Sequence, residues 1–210
     1  MRSKSEILEQ IRQLKVLYGR NIENYNALFL GNHDALAAGN ELIHMAVSEA
    51  GKVFGFEEPG TKRPTLFFFG SVDSLLKSND KLFEKLSYLP FYTYINIGFE
   101  SVDPKTLAFV GKPVSASKVR RAFRKMCEVN AAYPNIEITG NFLMGKTLSP
   151  EHYQSLTELL MDVSDPSHDK GTIYLSPIKD SPGKRELLPQ FFEIKRQSKL
   201  PTFIYLIQRL

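Results

Sequence analysis

Residues 92–123 read YTYINIGFESVDPKTLAFVGKPVSASKVRRAF, and the parsing of this stretch decides the fold. Its opening, YTYINIG, is dominated by aromatic and β-branched side chains, the composition of a strand. Ser101 and Asp103 lead into Pro104, a good first residue for a short helix. Val114 and Ser115 then open the longest helical pattern of the chain, residues 115–131. There Val119, Ala122, Phe123 and Met126 share one face, and the basic residues of the stretch 118–125 (KVRRAFRK) cover the other. Strand, turn and helix in this order make one unit of a parallel α/β fold.

Working outward, the alternation repeats on both sides. Residues 3–17 carry Ile7, Ile11, Leu14 and Leu17 at helical spacing, with Ser5 placed to cap them and Gly19 to stop them. ALFL (27–30) is an apolar run without alternation, which suits a strand buried on both faces, and TLFFF (65–69) reads likewise as a buried strand. Helices are expected over 40–50 with a stop at Gly51, over 80–89, and over 150–163 with Ser149 as cap and Pro150 first. A last helix is expected over 186–199. Further strands are expected over 136–140 running on toward Phe142 and Leu143, over 171–175 and over 202–207. About six strands, beginning roughly 30–40 residues apart, imply one right-handed crossover each. The segments 165–171 and 181–184 read as loops at a sheet edge rather than as domain boundaries.

Composition narrows the function classes. A chain of 210 residues, 42% of them hydrophobic, can bury a full core without staples. One cysteine makes no internal disulfide and no all-thiolate metal centre. No apolar run approaches the length of a membrane span, and MRSKSEILEQ has no apolar signal region, so the reading is a soluble, cytoplasmic protein. The net charge of +4 and a pI near 9.0 are mildly basic. The single dense basic stretch, 118–125, reads as a solvated helix face, so there is no strong nucleic-acid signal.

In parallel α/β folds ligands collect where strands end. After 27–30 come Gly31, Asn32, His33 and Asp34, which either form turn chemistry with Asp34 as a cap or lie along a ligand. After 65–69, Ser71 and Asp73 are helix caps. Glu100 ends the next strand among small and apolar neighbours, where a carboxylate can take two ribose hydroxyls or pair with a lysine at the rim. Gly140 and Gly145 flank a strand end that also carries Asn141, and glycine there suggests close approach of a ligand or another backbone. There is no phosphate loop, dinucleotide fingerprint or nucleophile elbow. His33, His44, His152 and His168 lack metal-ligand spacing; His44 and His152 read as surface or core-edge residues, and Cys127 as a small buried hydrophobe.

From Ile95 to Phe123 the string INIGFESVDPKTLAFVGKPVSASKVRRAF resembles the middle of the radical S-adenosylmethionine enzyme family. That family has a strand ending in G-x-E-S, a short helix, a K-P or K-G pair and a long helix. Upstream, ALFLGNHDALAAGNELI (27–43) resembles the strand and turn that hold the methionine end of the cofactor. Downstream, IEITGNFLMGKTLSPEHYQSLTELL (136–160) resembles the strand whose glycine-rich end touches the adenine. The resemblance covers residues 3–178 and is most specific over 98–112. It implies a partial TIM-like (β/α)6 barrel domain over 1–178, with 179–210 completing or extending the same domain. It also implies that Gly31, Asn32, His33 and Asp34 lie along the methionyl group. Glu100 and Ser101 would then take the ribose, and Asn141 with the backbone of Gly140 and Gly145 would flank the adenine.

The family's CxxxCxxC loop, whose thiolates hold a 4Fe–4S cluster, has no counterpart here, so the expected barrel lacks its first strand and its cluster loop. The resemblance therefore implies an intact enzyme that uses S-adenosylmethionine and a 4Fe–4S cluster to generate a 5′-deoxyadenosyl radical. This chain would be an inactive part of it, with neither cofactor expected to bind tightly. The alternative is a non-catalytic α/β binding module that has lost the cluster. The substrate is not named by any motif. A barrel without its first strand leaves a bare edge at Ala27, to be covered by a helix or paired in a homodimer.

Overall fold

The computed structural model describes residues 2–56, 63–164, 169–178 and 184–205. His168, the greater part of both expected loops and the end of the last expected strand lie outside the described residues. The chain runs α1 (Lys4–Tyr18), β1 (Ala27–Leu30), α2 (Asn40–Phe54), β2 (Thr65–Ser71), α3 (Val72–Lys77), α4 (Asp80–Ser87) and β3 (Tyr92–Glu100). It continues with α5 (Pro104–Phe109), α6 (Ala116–Ala132), β4 (Ile136–Met144), α7 (Pro150–Met161), β5 (Ile173–Pro177), α8 (Leu188–Gln197) and β6 (Thr202–Ile204).

The six strands form one sheet in chain order, and every neighbouring pair is parallel. Right-handed crossovers between sequential neighbours put all the helices on one side. The protein is therefore an α/β chain with the architecture of a partial TIM-like barrel, open on its other face. Burial follows: Thr93, Ile95, Ile97 and Phe99 of β3 are buried toward the helices, while Tyr92, Tyr94, Asn96, Gly98 and Glu100 are half-exposed on the open face. On the helix side Phe99 stacks on Phe142 at 5.3 Å and meets Phe123 of α6 at 6.0 Å. Val119, Ala122, Phe123 and Met126 are all buried there, as their spacing predicts. Strand β6 pairs with β5, so the C-terminal segment joins the same sheet.

Several local expectations are corrected. Strand β1 is not buried on both faces: it is the sheet edge, with Phe29 55% exposed, because nothing among the described residues pairs with its outer side. Phe67 and Phe69 of β2 are exposed for a related reason, since they point to the open face. The cap of α1 is Ser3, not Ser5, and forms a reciprocal pair with Glu6. Helix α2 does not stop at Gly51; that residue is buried inside it, and the left-handed Gly55 ends it. Ser71 and Ser149 cap α3 and α7 as expected.

Side-chain amides brace the ends of the sheet. Pairing of β4 with β5 begins at Gly140, so the backbone of Ile138 has no partner on that side. Asn130 of α6 supplies both: its Nδ2 donates to Ile138 O at 2.9 Å and its Oδ1 accepts from Ile138 N. This satisfies two buried backbone groups that would otherwise cost about 1–3 kcal/mol each. Among the described residues, no helix is long and apolar enough to cross a membrane.

Candidate functional site

At the centre of the sheet the open face of β3 and β4 carries a polar rail. Pairing sets Asn96 opposite Thr139 and Gly98 opposite Asn141. Asn141 Nδ2 donates to Asn96 Oδ1 at 2.8 Å, and Asn96 Nδ2 donates to Thr139 Oγ1 at 2.7 Å. Beyond Gly98 the register slips by a bulge, and Glu100 falls opposite Phe142. Glu100 has φ +63°, the one positive φ at a non-glycine residue among those described. A left-handed backbone costs an L-residue about 1–2 kcal/mol.

That backbone swings the carboxylate back over the strand. Lys112 Nζ donates to Glu100 Oε1 at 3.0 Å, with both side chains about a quarter exposed, at 29% and 26%. A Cβ on Gly98 would lie 2.8 Å from the same oxygen, so the missing side chain leaves room for the carboxylate in this position. The lysine pairing weighed for Glu100 is thus present. It engages one carboxylate oxygen, and no described residue donates to Oε2.

Behind the rim lies a buried polar network. The Ser101 hydroxyl sits 2.7 Å from His152 Nδ1 and accepts from Asp103 N at 2.9 Å. His152 Nε2 lies 2.9 Å from Leu143 O. A carbonyl only accepts, so Nε2 carries the proton, Nδ1 accepts from Ser101, and the ring is neutral. Burial pushes the imidazole below its ordinary range, against the pull of the Leu143 carbonyl and the Asp103 charge. Burial alone would raise Asp103, but donors from Thr106, Lys105 and Ser149 hold its carboxyl below the usual carboxylate range. His152, read as a surface or core-edge residue, is fully buried.

The residues singled out from sequence separate into three places. Glu100 and Asn141 are neighbours on the open face, at the carboxyl ends of β3 and β4. Ser101 and Gly140 point into the helix side. Ser101 is fully buried with its hydroxyl engaged, and a Cβ on Gly140 would strike the Phe99 ring at 2.9 Å. The close neighbour that Gly140 makes room for is therefore that ring. Gly145 gives both backbone groups to Tyr153: its N–H donates to the hydroxyl at 2.8 Å and its carbonyl accepts from it at 2.7 Å.

Gly31, Asn32, His33 and Asp34 lie two strands away, about 10 Å from β3 at the usual strand spacing. They line a groove of about 780 Å³ beside the edge strand, together with Ile11, Leu14, Leu30 and Ile43. Gly31 makes the left-handed turn out of β1, and Asp34 accepts from Ala37 N at 3.3 Å, the capping role weighed for it. Sequence reasoning gave Asn96 no role, took Gly98 and Lys112 only as motif positions, and gave His152 no part in the site. The alternation of β3 was the available signal for Asn96; the contacts of Lys112 and His152 are set by tertiary packing.

The described residues hold no group of three His, Cys, Asp or Glu side chains that could bind a metal ion. Cys127 is half-buried in α6, and burial, then the Glu128 charge, push its thiol up to about 11. A cluster needs thiolates, so these residues do not fit a 4Fe–4S centre.

No protein-family model matches the chain, and no curated protein matches it. Among solved structures the chain is similar to OxsB, a cobalamin-dependent S-adenosylmethionine radical enzyme with aqua-cobalamin bound. The TM-score is 0.52 at 15% identity, over 95% of this chain and 27% of that one. The chain thus spans little more than a quarter of that protein, and the likeness is one of fold, that of a partial barrel.

Proposed function

We propose that this chain is the nucleoside-binding core of a radical S-adenosylmethionine-type protein, with Glu100 and Asn141 facing the cofactor. The observation that carries this reading is the left-handed Glu100 at a strand-end bulge. Bulges re-aim side chains beside active sites, and backbone strain at a non-glycine residue is a mark of function. The strain holds a carboxylate at the carboxyl end of a central parallel strand, with Oε2 left for a ribose hydroxyl and Asn141 on the neighbouring strand. Gly31, Asn32, His33 and Asp34 would take the methionyl end. The likeness in fold to a radical S-adenosylmethionine enzyme supports the same class of ligand.

Bound S-adenosylmethionine supplies the carbon–sulfur bond that an electron donor cleaves to a radical; this chain's part is to bind and orient it. The residues present do not supply the cluster, so no radical step is assigned to them. That mismatch favours a second reading, a non-catalytic α/β binding module that has lost the cluster. Calorimetric titration with S-adenosylmethionine separates the two. Weak binding is expected, as the chain lacks the cluster that would hold the methionyl end, and Glu100→Ala should weaken it about tenfold further, the worth of a charged hydrogen bond, with little change in melting temperature. No binding by the wild-type chain, or equal binding by Glu100→Ala, would defeat the assignment.

A further inference from the structure

The open face has a second carboxylate at the end opposite the Glu100 rim. Glu137 is the second residue of β4, is 7% exposed, and faces Tyr94 across the β3 pairing. Tyr92 lies beside Tyr94 with ring centroids 4.9 Å apart, and Phe67 stacks on Tyr94 at 5.2 Å. On the other flank Tyr174 of β5 is bordered by Phe203 and Tyr205 at 6.5 and 6.3 Å. The hydroxyls of Tyr92, Tyr94 and Tyr174 are all raised above their ordinary range, by burial first and by the Glu137 charge second. Pairing sets Tyr94 directly opposite Glu137, with Tyr92 against Tyr94, and Tyr174 lies further along the same face, opposite Asn141.

Glu137 uses one oxygen for structure. Its Oε1 accepts from Thr172 N at 3.2 Å and from Thr172 Oγ1 at 2.8 Å. No described residue donates to Oε2, and no described cation forms an ion pair with the group. The Lys170 ammonium donates to the carbonyls of Tyr133 and Ile136 at 2.7 and 3.0 Å, and its charge acts on Glu137 without a direct ion pair. The exposed Arg63 lies on the Tyr92 side. A largely buried carboxylate with no direct ion pair favours a further positive charge beside it, and the faces of aromatic rings attract one through their quadrupole. Both features select the same sign of ligand and disfavour anions.

We propose that this end of the open face binds an organic cation, an alkylammonium group seated on the faces of Tyr92, Tyr94 and Tyr174 and neutralised by Glu137. The site adjoins the cofactor reading at Tyr174, which pairs opposite Asn141, but it rests on Glu137 and does not depend on that reading. A purely structural Glu137 would need only its acceptor to Thr172, which glutamine also supplies, so Glu137→Gln separates the two roles.

The probes are choline and its neutral isostere 3,3-dimethyl-1-butanol, followed by tyrosine fluorescence, which no tryptophan obscures in this chain. Choline is expected to bind about tenfold more tightly than the isostere. Glu137→Gln should remove that preference while the protein melts as before, and Tyr94→Ala should weaken choline binding by a similar factor. Equal binding of the two probes by the wild-type chain, no binding of choline, or full preference retained in Glu137→Gln would each overturn the proposal. The wild-type comparison stands even where a variant fails to fold.

Discussion

His152 is neutral in the folded protein because both ring nitrogens are committed, one as donor to a carbonyl and one as acceptor from Ser101. Its folded pKa lies below the unfolded value of about 6.5, so the folded state resists its protonation. The stability tied to this neutral ring is therefore complete above about pH 6.5. It is lost as pH falls through that value toward the folded pKa, by at most about 1.4 kcal/mol per pH unit. Urea unfolding at pH 7.5 and 5.5 should show the wild type weakened at the lower pH, and His152→Gln should flatten the difference. Asp103 acts in a lower window: its depressed pKa means its contribution is lost only below about pH 3.8. An unchanged pH slope in His152→Gln would show that other groups set it. At the same scale Glu100 reverses the usual economy, accepting backbone strain to hold a carboxylate over Gly98. Glycine at position 98 was read as a strand end; its packing role appears only with the positions of Glu100 and Lys112.

Strands β3 and β4 show how one element serves two purposes. Their odd and even positions divide in β3, apolar toward the helices apart from Thr93, and polar, aromatic or glycine toward the open face. Gly140 sits on the apolar side, where the missing side chain admits the Phe99 ring. Gly140→Ala is expected to destabilise the protein by about 1–3 kcal/mol through overpacking, seen as a lower urea midpoint with an unchanged slope. A neutral effect would mean that Phe99 yields without loss. The helices were the most legible elements: the periodicity and caps of α6 and α7 are in the sequence, because an amphipathic face and an N-cap are local properties. The strands were located but their exposure was misjudged. An apolar run such as ALFL (27–30) looks the same at the centre of a sheet and at its edge.

In the whole molecule stability is unevenly distributed. The sheet centre, β3 with β4, holds fully buried Ile95, Ile97, Phe99, Ile136, Ile138 and Phe142, whereas β1 is a four-residue edge strand with no fully buried residue. Hydrogen exchange should reflect this. Amides of β3 and β4 should exchange slowest, and those of β1 about 100-fold faster or more, a gap of roughly 3 kcal/mol in opening. Equal protection in β1 and β3 would mean that something covers the edge. The groove beside β1 and the aromatic open face are both consequences of a sheet closed on neither edge among the described residues.

The sequence by itself determined the class of fold, the order of strands and helices, and the carboxyl strand ends as the place to look. These follow from hydrophobic period, capping and turn chemistry, which act within a few residues. It also singled out Glu100, through a motif. Tertiary structure alone decided which singled-out residues share a surface. It placed Glu100 beside Asn141, turned Ser101 and Gly140 into the helix side, and gathered Tyr92, Tyr94, Glu137 and Tyr174 on one face. The reason is physical: a strand's side chains alternate between two faces, and which face is open depends on where distant helices pack, a fact no local stretch contains.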